Sequence, residues 1–274
     1  MPLATPVWLL AGTGVATGLI GALLGLGGGV FLVPILTLAF HLPIRTAVAA
    51  SLISVIATAS AAATVNMSRG VVNMRLAMVL EVATTIGGLG GGLTSALLTQ
   101  RQLFAVFGAT LAAMAIVMAR RSGRRNIIAV ADAGLGTGLL GGRVEEDGRV
   151  YVYRLRRSPL ALGASFIAGA ISGLLGLGGG IIKVPVLNTF CGIPIRVATA
   201  TSAFMIGVTA ASSAFVYFGR GDMDLHLTAA VALGTLPGSL AGARLSERMQ
   251  ARSLKLLMAA VLVAVAARML WESR

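Results

Sequence analysis

The chain has 274 residues, of which 57% are hydrophobic and only 11% charged, with a mean hydropathy of +0.91 and a formal net charge of +13. Soluble domains carry charge on roughly a quarter of their residues, so this composition excludes an ordinary soluble protein and fits repeated spans through a bilayer. The single cysteine, Cys191, excludes an intramolecular disulfide and any metal site built from several cysteines.

The first apolar run, Pro6 to Leu24, has no basic region before it and reads as a working segment rather than a removed signal peptide. It leads into Gly25, Leu26, Gly27, Gly28 and Gly29, and then into a short apolar piece, Val30 to Phe40, that carries Val33 and Pro34. At 1.5 Å per residue that piece covers only about half of a ~30 Å hydrocarbon core, so it is predicted as a half-helix. Three successive glycines are poor helix formers with no side chains to cover the backbone, so the chain is expected to open there. Unwound backbone at membrane depth persists only where protein or a watery cavity satisfies it. Full-length spans are then predicted over Thr46 to Asn66, Leu76 to Leu98 and Leu103 to Ala119.

A polar stretch follows, over residues 121–158. Ile127 to Val130 and Val150 to Leu155 look like short strands around the turn sequence Glu145, Glu146, Asp147, Gly148, which suggests a small β-hairpin. Residues 136–141 match the spacing of a dinucleotide fingerprint, but no helix or parallel βαβ unit follows them, which argues against nucleotide binding. The apolar pattern resumes at Leu160 to Leu175 and reaches a second glycine run, Gly176 to Gly180, before the half-length piece Ile181 to Cys191 with Val184 and Pro185. Spans are predicted again over Val197 to Phe218, Leu227 to Leu245 and Leu254 to Leu270.

The second half repeats the first. One fixed shift carries Gly25 onto Gly176, Pro43, Ile44 and Arg45 onto Pro194, Ile195 and Arg196, Ser51 onto Ser202, Arg69 and Gly70 onto Arg220 and Gly221, Gly87 onto Gly238, and Arg101 onto Arg252, with no gap. The predicted fold is therefore an all-α polytopic membrane protein of two homologous repeats, 1–120 and 159–274. Each repeat holds a glycine-broken hairpin and three further transmembrane helices.

Arginine placement suggests the orientation. Arg120, Arg121, Arg124, Arg125, Arg143, Arg149, Arg154, Arg156 and Arg157 crowd the central stretch and put it in the cytoplasm by the positive-inside rule. An odd number of crossings per repeat then places Arg69 and Arg75 inside, the near-neutral group Arg220, Asp222 and Asp224 outside, and Arg244, Arg248, Arg252 and Lys255 inside. Opposite charge bias at equivalent loops is the mark of an inverted duplication, with both termini outside. The basic residues flank apolar spans, where topology and anionic headgroups account for them, so nucleic acid is not an expected partner.

Chemistry has few groups to draw on. Within the apolar segments the ionisable residues are Glu81 and Lys183, since Arg244 and Arg268 lie near predicted helix ends and can snorkel. Lys183 falls in the first turn of the second half-helix, where free N–H groups and the helix dipole favour an anion. Its repeat counterpart is Leu32, and that of Glu81 is Ala232. The anion-site reading stands against a plain pairing of Lys183 with Glu81 or a headgroup. A proton-carrying role for Glu81 stands against a structural one. Ser51, Ser54, Asn188, Thr199, Thr201 and Ser202 could supply neutral donors, although most such residues bond their own helix backbone, and only Ser51 and Ser202 are paired by the repeat. Glycines at Gly14, Gly18, Gly21 and Gly25, at Gly169, Gly173 and Gly176, and at Gly87 to Gly92 are spaced for close helix packing.

The segments Gly21 to Pro34, Gly173 to Asn188 and Ala198 to Ser202 resemble the sulfite exporter TauE/SafE family, also called the 4-toluene sulfonate uptake permeases. The resemblance covers nearly the whole chain. It implies a bacterial or archaeal inner-membrane transporter of sulfite, sulfonates or related sulfur-containing anions, coupled to protons and needing no cofactor or metal. The expected substrate contacts are Gly27, Gly28, Gly29, Gly178, Gly179, Gly180, Lys183, Ser51, Ser202, Asn188 and Thr201, with Glu81 as the proton-coupling group. A passive anion channel is the main rival. An enzyme is disfavoured because the apolar segments lack a paired-Asp, Ser–His or His-rich constellation.

Overall fold

A computed structural model of the chain describes residues 6–24, 27–121, 140–146, 149–246 and 263–272. The described elements run α1 (Val7–Leu24), α2 (Gly29–Leu38), α3 (Ile44–Ser68), α4 (Met74–Thr94), α5 (Gln100–Arg121), β1 (Gly142–Glu146), β2 (Arg149–Tyr153), α6 (Ser158–Leu175), α7 (Gly180–Thr189), α8 (Ile195–Gly219) and α9 (Leu225–Ser246), with a further helical stretch at 263–272. Five of these helices, α3, α4, α6, α8 and α9, are long and apolar enough to cross a membrane. The protein is a multi-pass, nearly all-helical membrane protein. Residues 127–130, 136–139 and 254–262 lie outside the described residues, so the expected first strand, most of the fingerprint-like run and the start of the last span do too.

Equivalent sequence signals set equivalent boundaries. Pro43 and Pro194 occupy the N-caps of α3 and α8, where the missing N–H costs nothing. Asn73 and Asp224, matched by the repeat, cap α4 and α9 by accepting from the backbone N–H of Leu76 at 3.0 Å and Leu227 at 3.1 Å. The turn after each half-helix needs a left-handed residue. Gly192 (φ 73°) supplies it in the second copy, and His41 (φ 53°) takes the same place in the first.

Helix α1 packs along α9, and α4 along α6. A Cβ on Gly14, Gly18, Gly234, Gly238 or Gly242 would run into the backbone of the facing helix, at Val231, Thr235, Ala11, Val15 and Leu19 respectively. Gly87, Gly91, Gly169 and Gly173 make the same kind of approach to Phe166, Ala170, Thr84 and Gly88. Both sets of numbers rise together, so each pair runs parallel, backbone against backbone. Without a hydrophobic drive between helices in lipid, such small-residue seams supply the packing.

Helices α3 and α8 meet at the centre and run in opposite directions. Arg45, at the start of α3, donates to the carbonyls of Ala96 and Leu98, while Arg220, just past the end of α8, donates to Leu93 O and Ser95 Oγ of the same segment. At the opposite rim, Asn73, which follows α3, donates its backbone N–H to Thr201 Oγ1 near the start of α8 at 3.0 Å.

The central hairpin pairs β1 and β2 antiparallel, with Glu146 opposite Arg149. The strand expected at Val150 to Leu155 is present as β2, and its partner β1 takes in Glu145 and Glu146, the first two residues of the expected turn, because they pair with Val150 and Arg149. The two residues between the strands, Asp147 and Gly148, are the pair a two-residue hairpin favours. Val144 and Tyr153 are buried in one apolar cluster with Leu76 and Leu80 of α4, Leu187 of α7 and Val197 and Met205 of α8.

Candidate functional site

Each half-helix starts at a glycine break that folds the chain back. Gly27 and Gly28 (φ 78° and 73°) and Gly176, Gly178 and Gly179 (φ 71°, 77° and 65°) adopt the left-handed backbone that residues with a side chain rarely take. In the first copy the return brings Gly28 against Gly21 and the Thr17 carbonyl of α1. Neither α2 nor α7 has a side chain capping its N-terminus. The breaks themselves supply the first acceptors: Gly29 N–H donates to Gly27 O, Phe31 and Leu32 N–H to Gly28 O, and Ile182 and Lys183 N–H to Gly179 O.

The two breaks come together across α3. A Cβ on Gly29 would collide with the Gly176 carbonyl, Ser51 Oγ and Val55, and one on Gly178 would meet Val55 and Ile206 at 3.1 Å. Ser51 Oγ donates to Gly176 O at 2.9 Å, and Thr58 Oγ1 donates to Gly27 O at 3.0 Å. The first-copy helix α3 thus satisfies carbonyls of both breaks. Its counterpart α8 brings Ser202 near the second break, 3.3 Å from where a Gly180 Cβ would sit. Ser202 is fully buried and its hydroxyl has no partner among the described residues; the same is true of Ser172 of α6, beside Gly179.

Lys183 is 1% exposed and points from the first turn of α7 to α8, donating to Thr209 Oγ1 at 3.4 Å. Thr209 Oγ1 in turn donates to Glu81 Oε1 on α4 at 2.8 Å. Thr84 Oγ1 donates to Glu81 Oε2 at 3.0 Å and Thr85 Oγ1 to Oε1 at 3.3 Å. A buried ammonium and a buried carboxylate are thus joined through one hydroxyl, which accepts from the first and donates to the second. Burying either charge alone would be severely unfavourable, so the three groups stand or fall together.

Two of the expected contacts lie elsewhere. Asn188 Nδ2 donates to Ile193 O at 2.9 Å and closes the turn after α7, at the far end of that helix from the break. Thr201 Oγ1 accepts from Asn73, linking α8 to the start of α4. The structure therefore groups Gly27 to Gly29, Gly178 to Gly180, Ser51 and Ser202 at the breaks, and Lys183 with Glu81 beside them. Thr209 was missed in the sequence. The signal that could have found it is the repeat, which pairs it with Thr58, the hydroxyl that holds Gly27.

Among the described residues no cluster of His, Cys, Asp and Glu is arranged to hold a metal ion. The described residues thus place a buried ammonium and a buried carboxylate, linked through a hydroxyl, beside two helix breaks. A family model for the sulfite exporter TauE/SafE matches residues 10–269, both breaks included. The chain belongs to the TauE/SafE family. Its relatives include the "Probable membrane transporter protein YunE" of Bacillus subtilis, 24% identical over 96% of this chain and 97% of that protein. A "Probable membrane transporter protein" of Xylella fastidiosa is 25% identical over 96% of this chain and 94% of the relative. The "Probable membrane transporter protein MJ0441" of Methanocaldococcus jannaschii is 24% identical over 93% and 91%. No solved structure matches. With this membership and its multi-pass architecture, the protein is a membrane transporter of the TauE/SafE family.

Proposed function

We propose that this TauE/SafE protein is an inner-membrane secondary transporter of a small sulfur-containing oxyanion, sulfite or an organosulfonate, coupled to protons. The observation that carries this reading is the fully buried Lys183, set in the first turn of a half-helix whose N-terminus has no side-chain cap, with the Ser202 hydroxyl, unpartnered among the described residues, close to Gly180 in the same turn. An oxyanion there would meet an ammonium, a neutral donor and the positive end of a helix dipole, the combination that anion sites at discontinuous helices use.

Glu81 is the coupling group. A protonated Glu81 no longer competes for Lys183 through Thr209, which leaves the ammonium to the anion. Loss of that proton re-forms the Lys183, Thr209, Glu81 chain and weakens the anion site. The repeats are an inverted duplication, with the central segment cytoplasmic, the termini outside and one broken hairpin dipping from each face. Rocking one repeat against the other opens the site to each side in turn.

The test is sulfite flux into proteoliposomes of purified protein, with and without an imposed pH gradient. Accumulation driven by the gradient, lost in Lys183→Ala and uncoupled from pH in Glu81→Gln at equal folded protein, is the expected result. Flux that runs downhill only, whatever the gradient, would make the protein a passive anion channel. Unchanged affinity and flux in Lys183→Ala would remove that residue from the site.

A further inference from the structure

Glu81 has a second neighbourhood that the transport reading does not use. Glu81 also lines an open groove of about 490 Å³ between α4 and α8, together with Met78, Val82, Ile86, Phe204, Val208 and Thr85, whose hydroxyl donates to the carboxyl. The rims are not core. Met78, Val82 and Ile86 are 62%, 64% and 57% exposed and Val208 is 45% exposed, on helices long and apolar enough to cross a membrane. Exposed apolar side chains on spanning helices face acyl chains, so the groove opens to the bilayer rather than to water. Its volume falls in the range of small-molecule sites, and its surface is apolar except at the carboxyl end.

We propose that this groove is a lipid-side binding site for a lipophilic, uncharged ligand whose apolar body fills the space between α4 and α8 and whose reactive or hydrogen-bonding group meets the Glu81 carboxyl. The carboxyl is nearly enclosed, at 8% exposure, and accepts from three hydroxyls. Oε2 takes only one of these bonds and keeps a lone pair for a ligand. A charged ligand is excluded by the cost of crossing the apolar walls.

Dicyclohexylcarbodiimide has the required character and reports by covalent chemistry. The carboxylic acid gives its proton to one carbodiimide nitrogen while its oxygen bonds to the central carbon, and one C=N π bond is lost. The acyl group of the resulting O-acylisourea then moves from oxygen to nitrogen, giving a stable N-acylurea. Nothing leaves, nothing is oxidised, and the peptide gains the whole reagent. A dry site favours the transfer because water, which would hydrolyse the intermediate, is kept out.

The experiment treats the full-length protein in proteoliposomes, at mildly acidic pH, with dicyclohexylcarbodiimide or with a water-soluble cationic carbodiimide, and maps the adduct by peptide mass spectrometry. The expected result is an adduct on Glu81 with the lipophilic reagent only. It should be lost in Glu81→Gln and also in Val208→Trp, which fills the groove without touching the carboxyl; circular dichroism and gel filtration confirm the fold of each variant. No adduct on Glu81 in folded wild-type protein, equal labelling by the soluble reagent, or undiminished labelling of Val208→Trp would each overturn the site. Labelling is read without any substrate, so its failure leaves the transporter reading standing, and a failed flux assay leaves the groove standing.

Discussion

At the scale of single residues, Thr209 decides whether two buried charges tolerate each other. It is the only described side chain that hydrogen-bonds to both Lys183 and Glu81. Thr209→Val keeps the volume but leaves the ammonium without its acceptor and the carboxyl without its shortest donor. Breaking a buried charge network by removing one member costs about 3–5 kcal/mol, so Thr209→Val is expected to unfold at a markedly lower temperature in detergent, with Thr209→Ser close to wild type. Gly29 is the matching test of backbone. Gly29→Ala would press a methyl into Gly176, Ser51 and Val55 where the two breaks touch, an overpacking cost of about 1–3 kcal/mol. Lys183 and Glu81 were legible in the sequence because ionisable groups in apolar spans are rare and expensive. Thr209 was not, because a threonine in a membrane helix ordinarily bonds its own backbone, and this one also approaches Met205 O at 3.0 Å.

At the scale of elements, the half-helices and spans were readable from apolar run lengths and from glycine, and those that fall wholly within the described residues appear within a few residues of their expected limits. The hairpin was only half readable. The alternation that marks a strand is clear in Arg149–Tyr153 but obscured in the polar Gly142–Glu146, where the Asp-Gly pair between the strands was the better guide. Asn73 ties this hairpin to the helices. Its Nδ2 donates to Tyr153 Oη at 3.1 Å and lies near the carbonyls of Leu140 and Gly141, while its Oδ1 caps α4. Asn73→Ala removes a helix cap and the hairpin anchor together and is expected to cost about 1–2 kcal/mol, read as a lower unfolding midpoint. Burial pushes the Tyr153 phenol above the ordinary tyrosine value of 10.0. The folded state therefore holds that proton more tightly than the unfolded chain. The corresponding stability is complete below pH 10 and is lost as pH climbs through the raised value, so ultraviolet titration should find a late-ionising tyrosine that is absent in Tyr153→Phe.

At the scale of the whole molecule, the duplication was legible from the repeat, but its inverted sense could be read only from the arginine bias of the loops, because a repeat by itself reads the same whether its copies point the same way or opposite ways. Direction rests on contacts between distant residues. Arg45 and Arg220 hold the same segment after α4, and Asn73 meets Thr201 at the other rim, so α3 and α8 run antiparallel although the repeat matches them residue for residue. That arrangement puts the loop after α3 and the loop after α4 on opposite faces, with the β1–β2 hairpin on the Asn73 side. Two single cysteines read this out in a Cys191→Ala background. Ser68→Cys sits at the exposed end of α3, and Leu97→Cys sits in the segment held by Arg45 and Arg220, where the native side chain is 83% exposed. Neither position touches the breaks or Lys183. In intact cells an impermeant maleimide is expected to label Leu97→Cys and spare Ser68→Cys, and membrane disruption should expose both. The reverse pattern would keep the fold but turn it over in the bilayer, and labelling of both in intact cells would break the opposition of the two rims on which the inverted arrangement depends.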